Sequence, residues 1–246
     1  MFAYTRPTIL TSSRPLLLLY ISAISSHPQN ELTSSQSRTS PLSSIPPTSN
    51  FSHSQGTFSN SAVADESGAQ GLRSTRTSKS ATVARDPIVD CIEARALLFQ
   101  GLSIPRSHLE PLQLVQYSLN QSYNFHTDWF PSPSPQTSPK YGGNRASSFF
   151  AYISASSDLI GGGTNFPLLD APVGEQWCEY IDCDEEWENG VTFRPVEGNA
   201  VFWVNVREEG NGDERTLHKG VKVERGTKVG MNIWTREGPL SPELRG

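Results

Sequence analysis

From residue 110 onward, short apolar segments recur between turns rich in Gly and Pro. Leu112–Leu119, Tyr123–Asp128, Ser148–Ser154, Ala200–Val206 and Lys228–Thr235 read as strands. Between them stand Pro131–Pro139, Gly142-Gly143, Gly161-Gly162-Gly163, Gly210–Gly212 and Gly226. Many short strands with such turns predict an antiparallel barrel or jelly roll. One amphipathic helix precedes them over residues 86–100, where Ile88, Val89, Ile92, Ala94, Leu97 and Leu98 recur at helical spacing. Asp86-Pro87 supplies its cap and first turn, and Gly101 ends it. The expected fold class is therefore mainly β with supporting helices.

The chain has 246 residues, enough for one sizeable domain and a tail. Residues 21–60 hold 13 Ser and 4 Thr but a single acidic residue, Glu31. Such a stretch lacks the apolar surface that offsets the entropy of ordering. Arg6 and Arg14 precede the apolar run Leu16–Ile24, which is too short to span a bilayer and has the length of a signal-peptide core. The reading is a Ser/Thr/Pro-rich tail over 1–60, with a signal-like segment near 14–24, and one domain over 61–246. This favours the endoplasmic reticulum and secretory pathway slightly over the cytoplasm. Membrane association stays open.

A net charge of −5 with no basic run argues against nucleic acid as a partner. The three Cys, at 91, 178 and 183, contain no C-x-x-C pair, which disfavours structural zinc. Cys178 and Cys183 either form a small-loop disulfide or remain two free thiols, and the spacing does not decide between them.

Metal-binding chemistry is better marked. The pattern His-x-acid occurs twice, at His108-Leu109-Glu110 and His126-Thr127-Asp128. On a strand, residues i and i+2 share a face, so a His and a carboxylate at that spacing converge on one point. A distant second His completes a two-His-one-carboxylate set, the arrangement of non-haem Fe(II) oxygenases. The first pair lies between Pro105 and Pro111 and reads as surface loop. The second lies in an aromatic run of Tyr123, Phe125, Trp129 and Phe130 and reads as a buried strand end, so His126 and Asp128 are the favoured ligands. His218 is the distal candidate. Lys228 opens the last strand, where a cation suits the far carboxylate of a dicarboxylate that chelates the metal.

At these residues the chain resembles the prolyl 4-hydroxylase alpha-subunit catalytic domain, in its fungal and plant form, over roughly residues 61–236. Arg76-Thr77-Ser78 resembles the R-T-S element. Gln116-Tyr117 through His126-Thr127-Asp128 resembles Y-x-x-x-Q-x-Y-x-x-H-x-D, and Arg145-Ala146-Ser147-Ser148 with Tyr152-Ile153 resembles R-x-x-T-x-x-x-Y-L. Gly161–Pro167 resembles G-G-x-T-x-F-P, and Gly198–Trp203 resembles G-x-A-x-x-F/W. Leu217–Gly220, Lys228 and Asn232-Ile233-Trp234 resemble H-x-G…K…N-x-W. The family's strand and helix upstream of R-T-S have no counterpart in the Ser-rich stretch, so the N-terminal part of the domain reads as incomplete.

The resemblance implies a double-stranded β-helix (jelly roll, cupin-like) core and a 2-oxoglutarate-dependent dioxygenase. It implies Fe(II) on His126, Asp128 and His218, and 2-oxoglutarate with its C5 carboxylate on Lys228, beside Tyr117 and Thr164. Arg145 and Trp234 become substrate-side residues, ascorbate an accessory reductant, and a proline-containing peptide with O2 the substrates. The segment Pro131–Pro139 reads as a flap over the site. Two alternatives are the same chemistry on another protein side chain or a free amino acid, and a degenerate binding module without catalysis.

Overall fold

The computed structural model describes residues 8–10, 18–22, 58–64, 70–72, 77–101 and 104–245. Arg6, Arg14, Arg76 and most of the Ser/Thr/Pro-rich stretch lie outside the described residues.

In chain order the strands are β1 (Thr8–Leu10), β2 (Leu18–Ser22), β3 (Ser59–Asn60), β4 (Ala62–Ala64), β5 (Gln70–Leu72), β6 (Lys79–Thr82), β7 (Gln113–Tyr117), β8 (Tyr123–His126), β9 (Arg145–Ala155), β10 (Ile160–Gly161), β11 (Thr164–Phe166), β12 (Val191–Phe193), β13 (Asn199–Val204), β14 (His218–Gly220), β15 (Val223–Arg225) and β16 (Lys228–Arg236). Helix α1 spans Pro87–Phe99 and a short α2 spans Pro242–Arg245. The larger sheet runs β1-β2-β13-β9-β16-β7-β6-β3, and a four-stranded sheet runs β12-β11-β14-β8. Within the stretch read as a tail, β2 pairs antiparallel with β13, and β1 pairs with β2.

Alternation explains how the large sheet is covered. Along β9, Phe150 and Tyr152 face the four-stranded sheet and cluster with Phe166, Val191 and Phe193. Phe149 and Ala151 face the other way and cluster with Val89 and Ala96 of α1. Strand β13 repeats the pattern, with Val201 and Trp203 on the inner side and Phe202 on the helix side. The central strands β9 and β13 are thus buried on both faces, between a second antiparallel sheet and a helix, which is the mainly-β jelly roll expected. Asp86 caps α1 by accepting from the backbone N–H of Ile88 and Val89, and Gly101 (φ +66°) follows the helix as its stop.

The five strands and one helix expected between 86 and 235 all form. The small sheet was largely missed: β11, β12 and β14 are three residues each, too short for alternation to show. The loop between β11 and β12 carries a Cys178–Cys183 disulfide, so that open choice resolves as a bridge. Cys91 is a free, half-buried thiol. The Pro131–Pro139 segment folds into tight turns: Thr137 bonds to Ser134, and Arg236 donates to the Gln136 carbonyl.

Candidate metal and dicarboxylate site

Strand β14 pairs antiparallel with β8, and the register sets His218 directly opposite His126. Cross-strand partners are the closest side-chain neighbours a sheet offers. The two rings stand 4.2 Å apart between centroids, although they are distant in sequence. Asp128 follows the end of β8, and one ligand atom from each of His126, Asp128 and His218 lies within 4.8 Å of the others. Among the described residues this is the one such cluster; His108 and Glu110 do not form another.

Both imidazoles are preset as ligands. Nδ1 of His126 lies 2.8 Å from the Asn124 carbonyl, and Nδ1 of His218 lies 2.8 Å from the Thr216 carbonyl. A carbonyl only accepts, so each Nδ1 carries the proton and donates, leaving the Nε2 lone pair for a metal. Tyr123 stacks on His126 at 3.6 Å, while Phe166 and Trp203 wall His218 at 5.3 and 4.8 Å. Asp128 is buried, and its Oδ2 accepts from Ser148 Oγ (2.6 Å) and from Trp234 Nε1 (2.9 Å). Its Oδ1 faces Nε2 of His126 at 4.0 Å. Burial pushes this carboxyl up, but the charges of His218, Arg145 and His126 and the Ser148 hydrogen bond outweigh that and hold it at about 2. Two imidazole nitrogens and one carboxylate oxygen suit Fe(II) in chemistry and number.

Lys228 is the second half of the site. It starts β16, opposite Tyr117 of β7 and Ala155 of β9, and is 1% exposed. Its Nζ donates to the Gly162 carbonyl and lies 4.8, 5.3 and 5.6 Å from the ring centres of Tyr117, Phe150 and Tyr152. Among the described residues no carboxylate pairs with it, and burial pushes its ammonium down to about 7. A buried cation held only by π faces and one carbonyl is a place made for an anion. Gly162 sits at φ +72°, a backbone conformation that favours glycine, and a Cβ there would lie 3.4 Å from the lysine Cδ. Thr164 Oγ1 accepts from the Tyr152 hydroxyl at 2.8 Å beside this pocket. Gly220 joins the two halves: a Cβ there would lie 3.5 Å from the Tyr117 hydroxyl, two residues beyond His218.

The fold therefore assembles His126, Asp128 and His218 in one cluster and Lys228, Tyr117 and Thr164 in an adjoining one. Arg145 and Trp234 stand beside the first. Trp234 gives its N–H to Asp128, and the Arg145 guanidinium lies 3.6 Å over its ring. Arg145 also forms a two-pronged pair with Glu110 (2.7 and 2.9 Å), whose Oε1 accepts from Arg236 at 2.6 Å. Glu110 is thus not a surface residue: its side chain is 13% exposed, and Leu109 beside it is fully buried. Burial pushes the Glu110 carboxyl up, yet Arg145 and Arg236 overcome this and hold it below its usual range. Three contacts escaped sequence reading: Ser148 on Asp128, Tyr152 on Thr164 and Gly162 on Lys228. Each lies in a motif already noted, but a motif does not say which atom meets which.

Known proteins resemble much of the chain. Its match to a prolyl 4-hydroxylase 1 of Arabidopsis thaliana is 30% identical over 155 residues, 63% of this chain and 50% of that protein. A prolyl 4-hydroxylase subunit alpha-3 of Rattus norvegicus is 31% identical over 154 residues, 62% of this chain and 24% of the subunit. The chain thus spans half or less of the length of these relatives. Among solved structures, a viral collagen prolyl hydroxylase from Paramecium bursaria Chlorella virus-1, with 2-oxoglutarate bound, aligns with TM-score 0.49 and 21% identity over 65% of this chain and 78% of that one. Residues 112–236, just over half of the chain and including His126, Asp128, His218 and Lys228, match the 2OG-Fe(II) oxygenase superfamily. The chain belongs to that superfamily.

Proposed function

We propose that this protein is an Fe(II)- and 2-oxoglutarate-dependent dioxygenase that hydroxylates peptidyl proline at C4. The observation that carries the reading is the buried Lys228, unpaired with any described carboxylate, next to a His126–Asp128–His218 cluster of the right donor chemistry. Either feature alone is ambiguous. Together they ask for a metal and a dicarboxylate at once.

In this reading Nε2 of His126, Nε2 of His218 and Oδ1 of Asp128 hold the ion. Lys228 pairs with the C5 carboxylate of 2-oxoglutarate, with Tyr117 and Thr164 hydrogen-bonding beside it. Once bound, Fe(II) with 2-oxoglutarate and O2 supplies the oxidation that converts C–H to C–OH and leaves succinate and CO2. Tyr123, Phe166 and Trp203 pack against the two imidazole rings and hold their orientation. Trp234 and Arg145 form the substrate side. Arg145 stays locked to Glu110 there, so it presents a stacked face rather than a free fork. Ascorbate would serve as the accessory reductant.

A proline-containing peptide is favoured as substrate because relatives about 30% identical to this chain over some 155 residues are prolyl 4-hydroxylases. The Cys178–Cys183 bridge supports an oxidising, secretory compartment. Among the described residues no helix is long and apolar enough to cross a membrane.

The test is succinate formation from 2-oxoglutarate with Fe(II) and ascorbate, with and without a proline-rich peptide. The expected result is turnover that His126→Ala abolishes and a peptide that gains one oxygen atom. A folded, metal-loaded protein that makes no succinate would favour the binding-module reading. Succinate without peptide oxidation under any proline sequence would favour another side chain or a free amino acid.

A further inference from the structure

Asp128 is constrained beyond its bonds to Ser148 and Trp234. Asn205, fully buried just beyond the end of β13, donates its Nδ2 to Ser148 Oγ at 2.8 Å, and Ser148 donates to Asp128 Oδ2 at 2.6 Å. A hydroxyl has one proton and two lone pairs. With Asn205 donating to a lone pair, the single proton of Ser148 turns to the carboxylate. The reverse amide orientation would draw that proton to Asn205 Oδ1 and turn a serine lone pair on an ionised carboxylate. The amide keeps this orientation although its Oδ1 is buried with no described partner, which costs it its hydration. All four side chains are buried: Asn205 and Ser148 are 0% exposed, Asp128 6% and Trp234 7%.

We infer that Asn205 and Ser148 are positioning residues for the metal: they form a one-way donor relay that, with Trp234, occupies Oδ2 of Asp128 and reserves Oδ1 as its single metal-facing oxygen. This rests on the metal site proposed above and goes one step further, because it assigns two residues outside the ligand set. Its value follows from counting. A carboxylate that grips a metal through both oxygens takes a position that a chelating dicarboxylate and O2 need. Two donors on Oδ2 prevent that and fix the carboxylate plane.

The experiment is Mn(II) titration of the full chain, followed by 2-oxoglutarate titration of the Mn(II)-loaded protein, with thermal melting as the folding control. Ser148→Ala should weaken Mn(II) binding about tenfold or more, and weaken 2-oxoglutarate binding on the loaded protein as well. Ser148→Thr keeps the hydroxyl, as in the R-x-x-T pattern, and should restore both. Asn205→Asp turns the donor into an acceptor and should mimic Ser148→Ala. Wild type that binds no Mn(II) removes the metal site itself. If wild type binds, and folded Ser148→Ala and Asn205→Asp bind both ligands as tightly, the relay is overturned. If Ser148→Ala fails to fold, Asn205→Asp decides by the same two constants.

Discussion

Lys228→Met should stabilise the protein without ligand while removing its grip on 2-oxoglutarate. Lys228 is 1% exposed and its ammonium is pushed down by burial to about 7 from 10.5. At about 1.4 kcal/mol for each pH unit of displacement, that costs on the order of 4 kcal/mol at pH 7. The unfolded chain binds the extra proton between pH 7 and 10.5, so the penalty is full below pH 7 and fades as pH rises toward 10.5. Methionine has similar length and no charge. Loss of the bond to the Gly162 carbonyl offsets roughly 1 kcal/mol, which leaves about 3 kcal/mol net. For a chain of this size that is a rise in melting temperature of roughly 5–10 °C. Ligand binding moves the other way, because a lost charge-assisted hydrogen bond weakens 2-oxoglutarate binding about 10–100-fold. The wild-type affinity also carries a pH signature. Only protonated Lys228 pairs with a carboxylate, so the dissociation constant should rise about fiftyfold between pH 7 and 9, whereas Lys228→Met should be flat. Calorimetric titration of Mn(II)-loaded protein at several pH values, with melting curves of the metal-free form, measures both. A wild-type constant that does not change over that range, or a variant that melts lower, would refute the reasoning.

Removing the Tyr152 hydroxyl with Tyr152→Phe takes away the donor on Thr164. It should weaken 2-oxoglutarate binding about fivefold in the same titration, as for one neutral hydrogen bond. Glu110→Gln leaves Arg145 and Arg236 facing each other across a neutral amide, and should lower stability by about 3–5 kcal/mol in urea unfolding at pH 7. Because the Glu110 carboxyl is held below its usual range, its contribution is present above that range and lost as pH falls, so wild type and variant should converge in acid. Reduction of Cys178–Cys183 opens a short loop, with an expected loss of about 2 kcal/mol that melting with and without reductant would show. An unchanged melting temperature would mean that the loop is ordered by the Ile181–Phe193 bridge instead.

Much of this protein was readable along the chain because its cues are local. The His126-x-Asp128 pair shares a face through the two-residue period of a strand, and β9, β13 and β16 are long enough for alternation to mark both covered faces. The cap at Asp86 and the stop at Gly101 likewise depend on a few adjacent residues. What the linear order withheld is decided between segments. His218 lies opposite His126 only because β14, a three-residue strand, pairs with β8 in that register. Glu110 reads as a loop acid between two prolines, and becomes a buried counter-ion only when β9 and β16 bring Arg145 and Arg236 to it. The relay from Asn205 through Ser148 to Asp128 joins three separate segments by two hydrogen bonds. Residue type and spacing state which chemistry is on offer, whereas the direction of each proton and the burial of each charge depend on contacts that close only when the two sheets pack.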